Sequence, residues 1–535
     1  MPSFKGATMS DKDEQVVKDT NRETDRMSIK TDMKDNNNNK RMNVLFLISD
    51  DLRPELGCYR GIHAPNPFSK FRISTPHLDA LARRSLLLTN AYVQFSLCGP
   101  SRTSFLTGRR PDTTKVWDLV TYWRESGGNF TTLPQYFKNN GYVTVGTGKT
   151  FHGGSSAHHF DIPSWSIKYK RPKHAGFWNL NGVEDTWKAV SKSERIDAPL
   201  PDEEILEQAI GYLRNFSEDA QTGKRNFFVA VGFHKPHLPW VFPDEFLDLY
   251  PLSDIEIPAN KYLPWKMPQC GYTLFHEFPL FNDVRHLKLS SSPNVTYPDN
   301  FTKVLRRAYF ACVSYIDSLV GKILKEVDDL RLADNTIISF LGDHGFHLAE
   351  NGHWGKHTNF EQGTHAPLMI HIPGQTDRGI VSESLVEFVD IFPTIVEAAG
   401  LDPIPTCPKV SRYVPVCTEG ASFLPLIDYP NRQLKDAAFS QMPRSASMGY
   451  SLRTNKYRYT EWLPLKKVKQ TGKFLNYKIM WDSVCGVELY DHEADPEEVY
   501  NRADDVKLNH LRKQFSAKLR DFVGNNIENA TSSLL

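Results

Sequence analysis

The chain has 535 residues, more than a single hydrophobic core ordinarily supports, so one large domain with a smaller companion is expected. Hydrophobic residues make up 40% and charged residues 24%, a globular balance that excludes a disordered or fibrous chain. A formal net charge of +1 gives no electrostatic case for nucleic acid or an anionic membrane as partner, and no run approaches the roughly 20 apolar residues of a membrane span.

Residues 1–42 are polar and charged, include the asparagine tract 36–39 and contain no apolar h-region. A disordered tail with no visible signal peptide is the expectation for them. The first apolar run, 44–48, reads as a core strand. A helix over 78–84 follows a Thr-Pro start, and a helix over 133–140 ends at Gly141 before a strand at 142–145. The pattern then gives an amphipathic helix over 203–216, a strand at 227–231, a long helix over 303–327 and a buried strand at 336–341. A strand at 367–372 and a helix over 384–399, closed by Gly400, complete the series.

Strands alternating with helices argue for an α/β fold built on a mostly parallel sheet covered on both faces. The catalytic domain is expected over 43–400, Pro-rich connecting loops over 401–440, and a smaller α+β domain over 441–535 with strand-like segments at 457–462 and 488–492. Seven cysteines do not make a disulfide scaffold. Cys407 and Cys417 bracket a Pro-rich loop and could close a small bridge, whereas Cys58, Cys270, Cys312 and Cys485 read as free thiols. Sequons at Asn129, Asn215, Asn294, Asn300 and Asn529 favour a secretory route only weakly.

The strongest local signal is Cys98-Gly-Pro-Ser-Arg102, followed by Leu106-Thr-Gly-Arg109. A pattern C-x-P-S-R arises by chance on the order of once per thousand chains of this length. Ligands of parallel sheets bind beyond the carboxyl ends of the strands, and two acidic groups stand there: Asp50-Asp51 after the first strand, Asp343-His344 after another. Converging carboxylates repel unless a cation lies among them, and oxygen-dominated ligation suits Ca2+ or Mg2+ over Zn2+. Cationic candidates follow other strands: Lys149 and His152 after 142–145, His234 after 227–231 with His237 as its competitor, and Lys356 after the Asp343 loop.

These residues resemble the formylglycine-dependent sulfatases over roughly 43–505, and within them the iduronate-2-sulfatases. That likeness is carried by the 50–58 stretch, Thr107-Gly-Arg-Arg-Pro-Asp112, His234-Lys-Pro-His237 and Tyr457-Arg-Tyr-Thr460. The resemblance implies an alkaline-phosphatase-like fold and Cys98 oxidised to formylglycine by a formylglycine-generating enzyme. It further implies one Ca2+ held by Asp50, Asp51, Asp343, His344 and residue 98. An aldehyde hydrate offers two hydroxyls: one attacks sulfur, and the other loses its proton to expel sulfate, an exit a serine lacks. Lys149, His234, Lys356 and Arg102 would surround the sulfate, with His152 taking the proton of the second hydroxyl. The implied substrate is the 2-O-sulfate of a terminal iduronate in heparan or dermatan sulfate, and the implied location lysosomal or secreted. The alternatives are a sulfatase for another sulfated sugar or small ester, and a silent sulfated-glycan-binding protein. Departures from the pattern are Phe346 for an expected Trp and the 349–351 run, both beside Lys356, where sugar recognition is expected. Cys407 and Cys417 match a bridge of the family.

Overall fold

The computed structural model describes residues 41–59, 73–290 except 177, 180, 181 and 274–276, then 292, 294–468 and 476–531. The expected N-terminal tail thus lies, up to residue 40, outside the described residues. Residues 42–535 form one compact unit.

Its centre is a seven-stranded sheet. The strands are β1 (Asn43–Ser49), β2 (Leu86–Tyr92), β3 (Val143–Gly148), β4 (Phe227–Phe233), β5 (Thr336–Gly342), β6 (Leu368–His371) and β7 (Ile380–Glu387). They run in the order β7-β2-β6-β5-β1-β4-β3, and all pairings are parallel except those of β6. Every residue of β1 is buried, which requires cover on both faces. Leu45 and Leu47 pack with helices α1 (Pro76–Ala82), α4 (Pro201–Gln221) and α5 (Asp299–Asp329). Val44, Phe46 and Ile48 point the other way, onto α2 (Cys98–Thr107), α3 (Leu133–Asn139) and α6 (Ile391–Ala398). This alternation is the period-2 consequence of a pleated strand.

Register sets the position of the site. Ser49 lies opposite both Phe233 and Gly342, and Gly148 opposite Gly232. The central strands therefore end at one level, and Asp50, Lys149, His234 and Asp343 emerge side by side. Gly148 has φ 70°, and a Cβ there would stand 2.0 Å from the Gly232 carbonyl oxygen. Only glycine lets the chain turn so tightly before Lys149.

The helix expected over 384–399 is divided. Residues 380–387 form edge strand β7, with Val381 and Glu383 exposed and Ile380 and Ser382 buried, and the helix starts at Ile391. Pro393 explains the late start, because proline is tolerated in a helix's first turn and breaks its interior. Strand β2 was absent from the sequence reading: it follows α1 after only the three residues Arg83-Arg84-Ser85, with no Gly or Pro to mark a boundary.

The C-terminal part is an antiparallel sheet of β8 (Ala438–Arg444), β9 (Ser447–Arg453), β10 (Tyr457–Val468), β11 (Asn476–Ile479) and β12 (Gly486–Asp491). Helix α7 (Asn509–Thr531) packs on it through Leu519 and Val523. Cys407 and Cys417 form a disulfide in the preceding loops. Among the described residues no helix is long and apolar enough to cross a membrane.

A buried ionic network ties this sheet to the central one. Glu361 Oε2 accepts from Arg453 Nε at 2.9 Å and from Arg458, while its Oε1 accepts from Tyr92 Oη at 2.7 Å. Arg458 Nε also donates to Glu498 at 2.6 Å. Removing one partner of a buried ionic group leaves uncompensated charge, at about 3–5 kcal/mol. Glu361→Gln is therefore expected to lower the apparent Tm by roughly 5 °C or more in thermal unfolding. An unchanged Tm would show that the network contributes nothing to stability.

Candidate active site

Cys98 opens α2, just beyond Leu97 in extended conformation, and its side chain is 1% exposed. Its Sγ lies 3.4 Å from Asp50 Oδ1, 3.8 Å from Asp51 Oδ1 and 3.4 Å from His344 Nε2. The ammonium groups of Lys149 and Lys356 each stand 3.5 Å from it. One ligand atom from each of Asp50, Asp51, Cys98 and His344 lies within 4.8 Å of all the others.

Asp343 joins this cluster through its partners. Its Oδ1 accepts from the Asp51 backbone N–H at 2.9 Å, and its Oδ2 accepts from Arg102 Nε at 2.9 Å. Arg102 stands one helical turn after Cys98, so helix geometry puts both on one face. Its Nη2 donates to Asp50 Oδ1 at 3.0 Å, so a single guanidinium clamps two carboxylates from different strands. Asp51 has φ 62°, a left-handed conformation that aspartate tolerates better than most residues. Tyr309 Oη donates to the Asp51 carbonyl at 2.7 Å and accepts from Arg53 N–H at 3.0 Å, which holds that turn.

The charges are strongly unequal in their surroundings. Burial would raise the Asp50 carboxyl, but Lys149 and Arg102 together outweigh it and hold it well below the ordinary range. For Asp51 burial prevails over Lys356, and for Asp343 over Arg102, so both are raised. Burial, with Asp50 alongside, pushes the Cys98 thiol well up, so the unmodified side chain is a poor thiolate. Burial works against the Lys356 ammonium, yet Asp51, Cys98 and Glu277 keep it firmly protonated.

The donor set fits a hard divalent cation: two carboxylates and one imidazole nitrogen around residue 98, with the Asp343 carboxylate bonded to the Asp51 backbone and to Arg102 alongside. His344 Nδ1 is 2.9 Å from the Gly345 carbonyl, which can only accept, so Nδ1 carries the hydrogen and Nε2 presents its lone pair to the cluster.

Of the residues expected at the site, Asp50, Asp51, Cys98, Arg102, Lys149, Asp343, His344 and Lys356 are joined by direct contacts, whereas His152 and His234 are not. Lys149 bonds Asp50, and Lys356 Nζ contacts both Asp51 oxygens at 2.8 and 3.0 Å. Among the described residues, neither the His152 ring nor the His234 ring hydrogen-bonds to Cys98 or to these carboxylates. Both residues are half-buried, as is Lys149, and burial followed by the Lys149 charge holds each imidazole down at about 3. His152 Nδ1 is buried without a hydrogen-bond partner.

Sequence reasoning missed several contributors. Asp202, at the start of α4, accepts the backbone N–H of His234 at 2.6 Å and of Lys235 at 3.3 Å. Glu277 reaches Lys356 at 3.4 Å and shares a second three-residue grouping with Asp51 and His237. Nothing in the loop sequence around Glu277 signals this, whereas His237 was visible as a competitor of His234. Phe346 does not line the mouth. It is fully buried, 5.7 Å from the Tyr309 ring, 6.2 Å from Trp240 and 6.3 Å from Phe278. The 349–351 run is likewise internal, with Glu350 paired to Arg53 and Arg306 and Asn351 donating to the Glu497 carbonyl. These departures alter packing beneath the Lys356 loop, where the sequence reading placed sugar recognition.

Residues 42–401 match the sulfatase family profile, and residues 349–524 match the profile described as N-sulphoglucosamine sulphohydrolase, C-terminal. The chain is 38% identical over 525 residues to iduronate 2-sulfatase of Mus musculus, a match covering 87% of this chain and 91% of that one. Among solved structures, a phosphonate monoester hydrolase of Agrobacterium radiobacter superposes with TM-score 0.66 at 18% identity, covering 91% of this chain and 96% of that one. A protein solved in complex with its substrate D-glucosamine-2-N,6-O-disulfate superposes with TM-score 0.65 at 18% identity, covering 93% and 100%. These two likenesses establish the shared fold.

Proposed function

The chain belongs to the sulfatase family, and we propose that it uses Cys98, matured to formylglycine, and one Ca2+ to remove the 2-O-sulfate of a terminal iduronate in heparan or dermatan sulfate. The observation that carries this reading is the convergence of the Asp50 and Asp51 carboxylates, His344 and two ammonium groups on one buried side chain at position 98, with Asp343 bonded to the Asp51 backbone and to Arg102 beside them. Asp50, Asp51, Asp343 and His344 would hold the ion. Together, the ion and the hydrated aldehyde would supply a nucleophilic oxygen at neutral pH.

The remaining chemistry falls to the chain's own side chains. Lys149 and Lys356, each 3.5 Å from the residue 98 side chain, bind the oxygens of an anionic sulfate. Arg102 fixes Asp50 and Asp343 and so keeps the acidic side of the site rigid. His152, held neutral at physiological pH, accepts the proton of the second hydroxyl. His234, also neutral, offers a ring N–H to a sulfate or sugar oxygen at the mouth. Because Cys98 is buried in the folded chain, the formylglycine-generating enzyme acts before this site closes. A lysosomal or secreted setting suits this maturation and substrate.

The test is a panel of sulfated sugars assayed with the wild type and Lys356→Ala. Turnover is expected on 2-O-sulfated iduronate. Lys356→Ala is expected to raise KM and to lower kcat/KM about tenfold or more, because a charge-assisted contact is worth roughly 1.5–3 kcal/mol. The loss extends to kcat, since Lys356 also pairs with Asp51. Robust activity on 6-O- or N-sulfated glucosamine with none on sulfated iduronate overturns the substrate assignment. No turnover of any sulfate ester by fully matured protein overturns the reaction.

A further inference from the structure

Two thiols read from the sequence as unrelated and free are brought together by the fold. Cys270 lies in the short turn Gln269–Gly271, and Cys485 immediately precedes β12. The Cys485 side chain is within hydrogen-bonding reach of Cys270. Cys270 Sγ also lies so near the neighbouring backbone that a Cβ on Gly486 would stand 2.7 Å from it. Cys485 is anchored by its backbone N–H and its thiol, both donating to the Trp462 carbonyl, at 2.9 and 3.2 Å. On the other side, Arg444 Nε donates to the Gly271 carbonyl at 3.0 Å, which pins the turn against the sheet. Both cysteines are thus presented by backbone held in place, and of the two Cys485 is exposed while Cys270 is partly covered.

We propose that Cys270 and Cys485 form a redox-responsive disulfide that tethers the turn at 269–271 to the edge of the C-terminal sheet. The oxidant is a small-molecule disulfide of the glutathione class. The exposed Cys485 thiolate attacks one sulfur of oxidised glutathione, which forms a mixed disulfide and expels one glutathione thiolate. The Cys270 thiolate then attacks the Cys485 sulfur, forming the protein disulfide and expelling the second glutathione. The two cysteine protons pass through solvent to the two departing thiolates, so two cysteines are oxidised and one glutathione disulfide is reduced. Burial and the Cys485 contact push the Cys270 thiol up to about 12.

The experiment uses the full-length folded protein, treated with oxidised glutathione at roughly pH 8, near the free-thiol pKa, then alkylated without reductant and digested. Mass spectrometry is expected to recover the Cys270 and Cys485 peptides as one cross-linked species, with two glutathione thiols released per bond. The oxidised protein is expected to melt about 3–6 °C above Cys485→Ser treated identically, because the bond closes a long loop. Alkylation of both cysteines, or separate glutathione adducts with no linked peptide, overturns the proposal. So does a linked peptide that appears only after denaturation.

Discussion

Cys98→Ala is expected to lower kcat for sulfate-ester hydrolysis by about four to six orders of magnitude, the scale on which loss of an enzyme nucleophile is felt. The substitution removes the one side chain that touches Asp50, Asp51, His344, Lys149 and Lys356 at once. Position 98 is closed to solvent, so water cannot easily replace it as an aligned nucleophile. Alanine is smaller than cysteine and adds no polar group, so folding should survive, and circular dichroism with thermal unfolding checks this. Cys98→Ser separates nucleophilicity from turnover. A serine hydroxyl can take up one sulfate but has no second hydroxyl to expel it, so at most one equivalent of product is expected per protein. In parallel, mass analysis of the peptide spanning residue 98 from active protein is expected to show sulfur lost and a carbonyl gained. Active protein carrying only the unmodified thiol would refute formylglycine chemistry.

Asp343→Asn is expected to lower kcat/KM by at least about a hundredfold, together with loss of bound divalent metal. Asparagine keeps the shape of the side chain and can still accept the Asp51 backbone N–H, which Asp343 Oδ1 accepts at 2.9 Å. It cannot match the charge that faces Arg102, whose guanidinium is fully buried between Asp50 and Asp343. The variant therefore removes one negative charge and the acceptor for Arg102 Nε–H, while keeping the acceptor for the Asp51 N–H. Asp343→Ala should be worse folded as well as inactive, since a buried guanidinium loses a partner outright, at about 3–5 kcal/mol. Metal content is measured by elemental analysis on the same samples as activity, because slow release can hide the effect of a chelator. Full activity in wild-type protein shown to be metal-free would refute the metal assignment.

The fold was most legible where a segment is buried on both faces. The all-apolar run in β1 and the long amphipathic pattern of α5 leave little choice of structure. It was least legible where one pattern suits two elements. The run over 380–399 is apolar enough for a helix, and only the pairing of β7 with β2 and the place of Pro393 divide it. In the C-terminal sheet, β10 and β12 were visible as short strand-like stretches, but their partners β8 and β9 were hidden among loops.

The site divides along the same physical line. Cys98 with Arg102, Asp50 with Asp51, and Asp343 with His344 are neighbours within one helical turn or one strand end, so local sequence by itself determined their presence and the chemistry they suit. Which oxygen meets which cation was decided only by tertiary structure. Arg102 bridges two strands, Lys356 meets Asp51 from a distant loop, and Glu277 and Asp202 enter without any motif. Cys270 and Cys485 are the same case outside the site. Local pattern reports what a segment can present, because backbone periodicity is short-ranged. Contacts between segments depend on strand register and loop path, and those are settled by burial of the whole core at once.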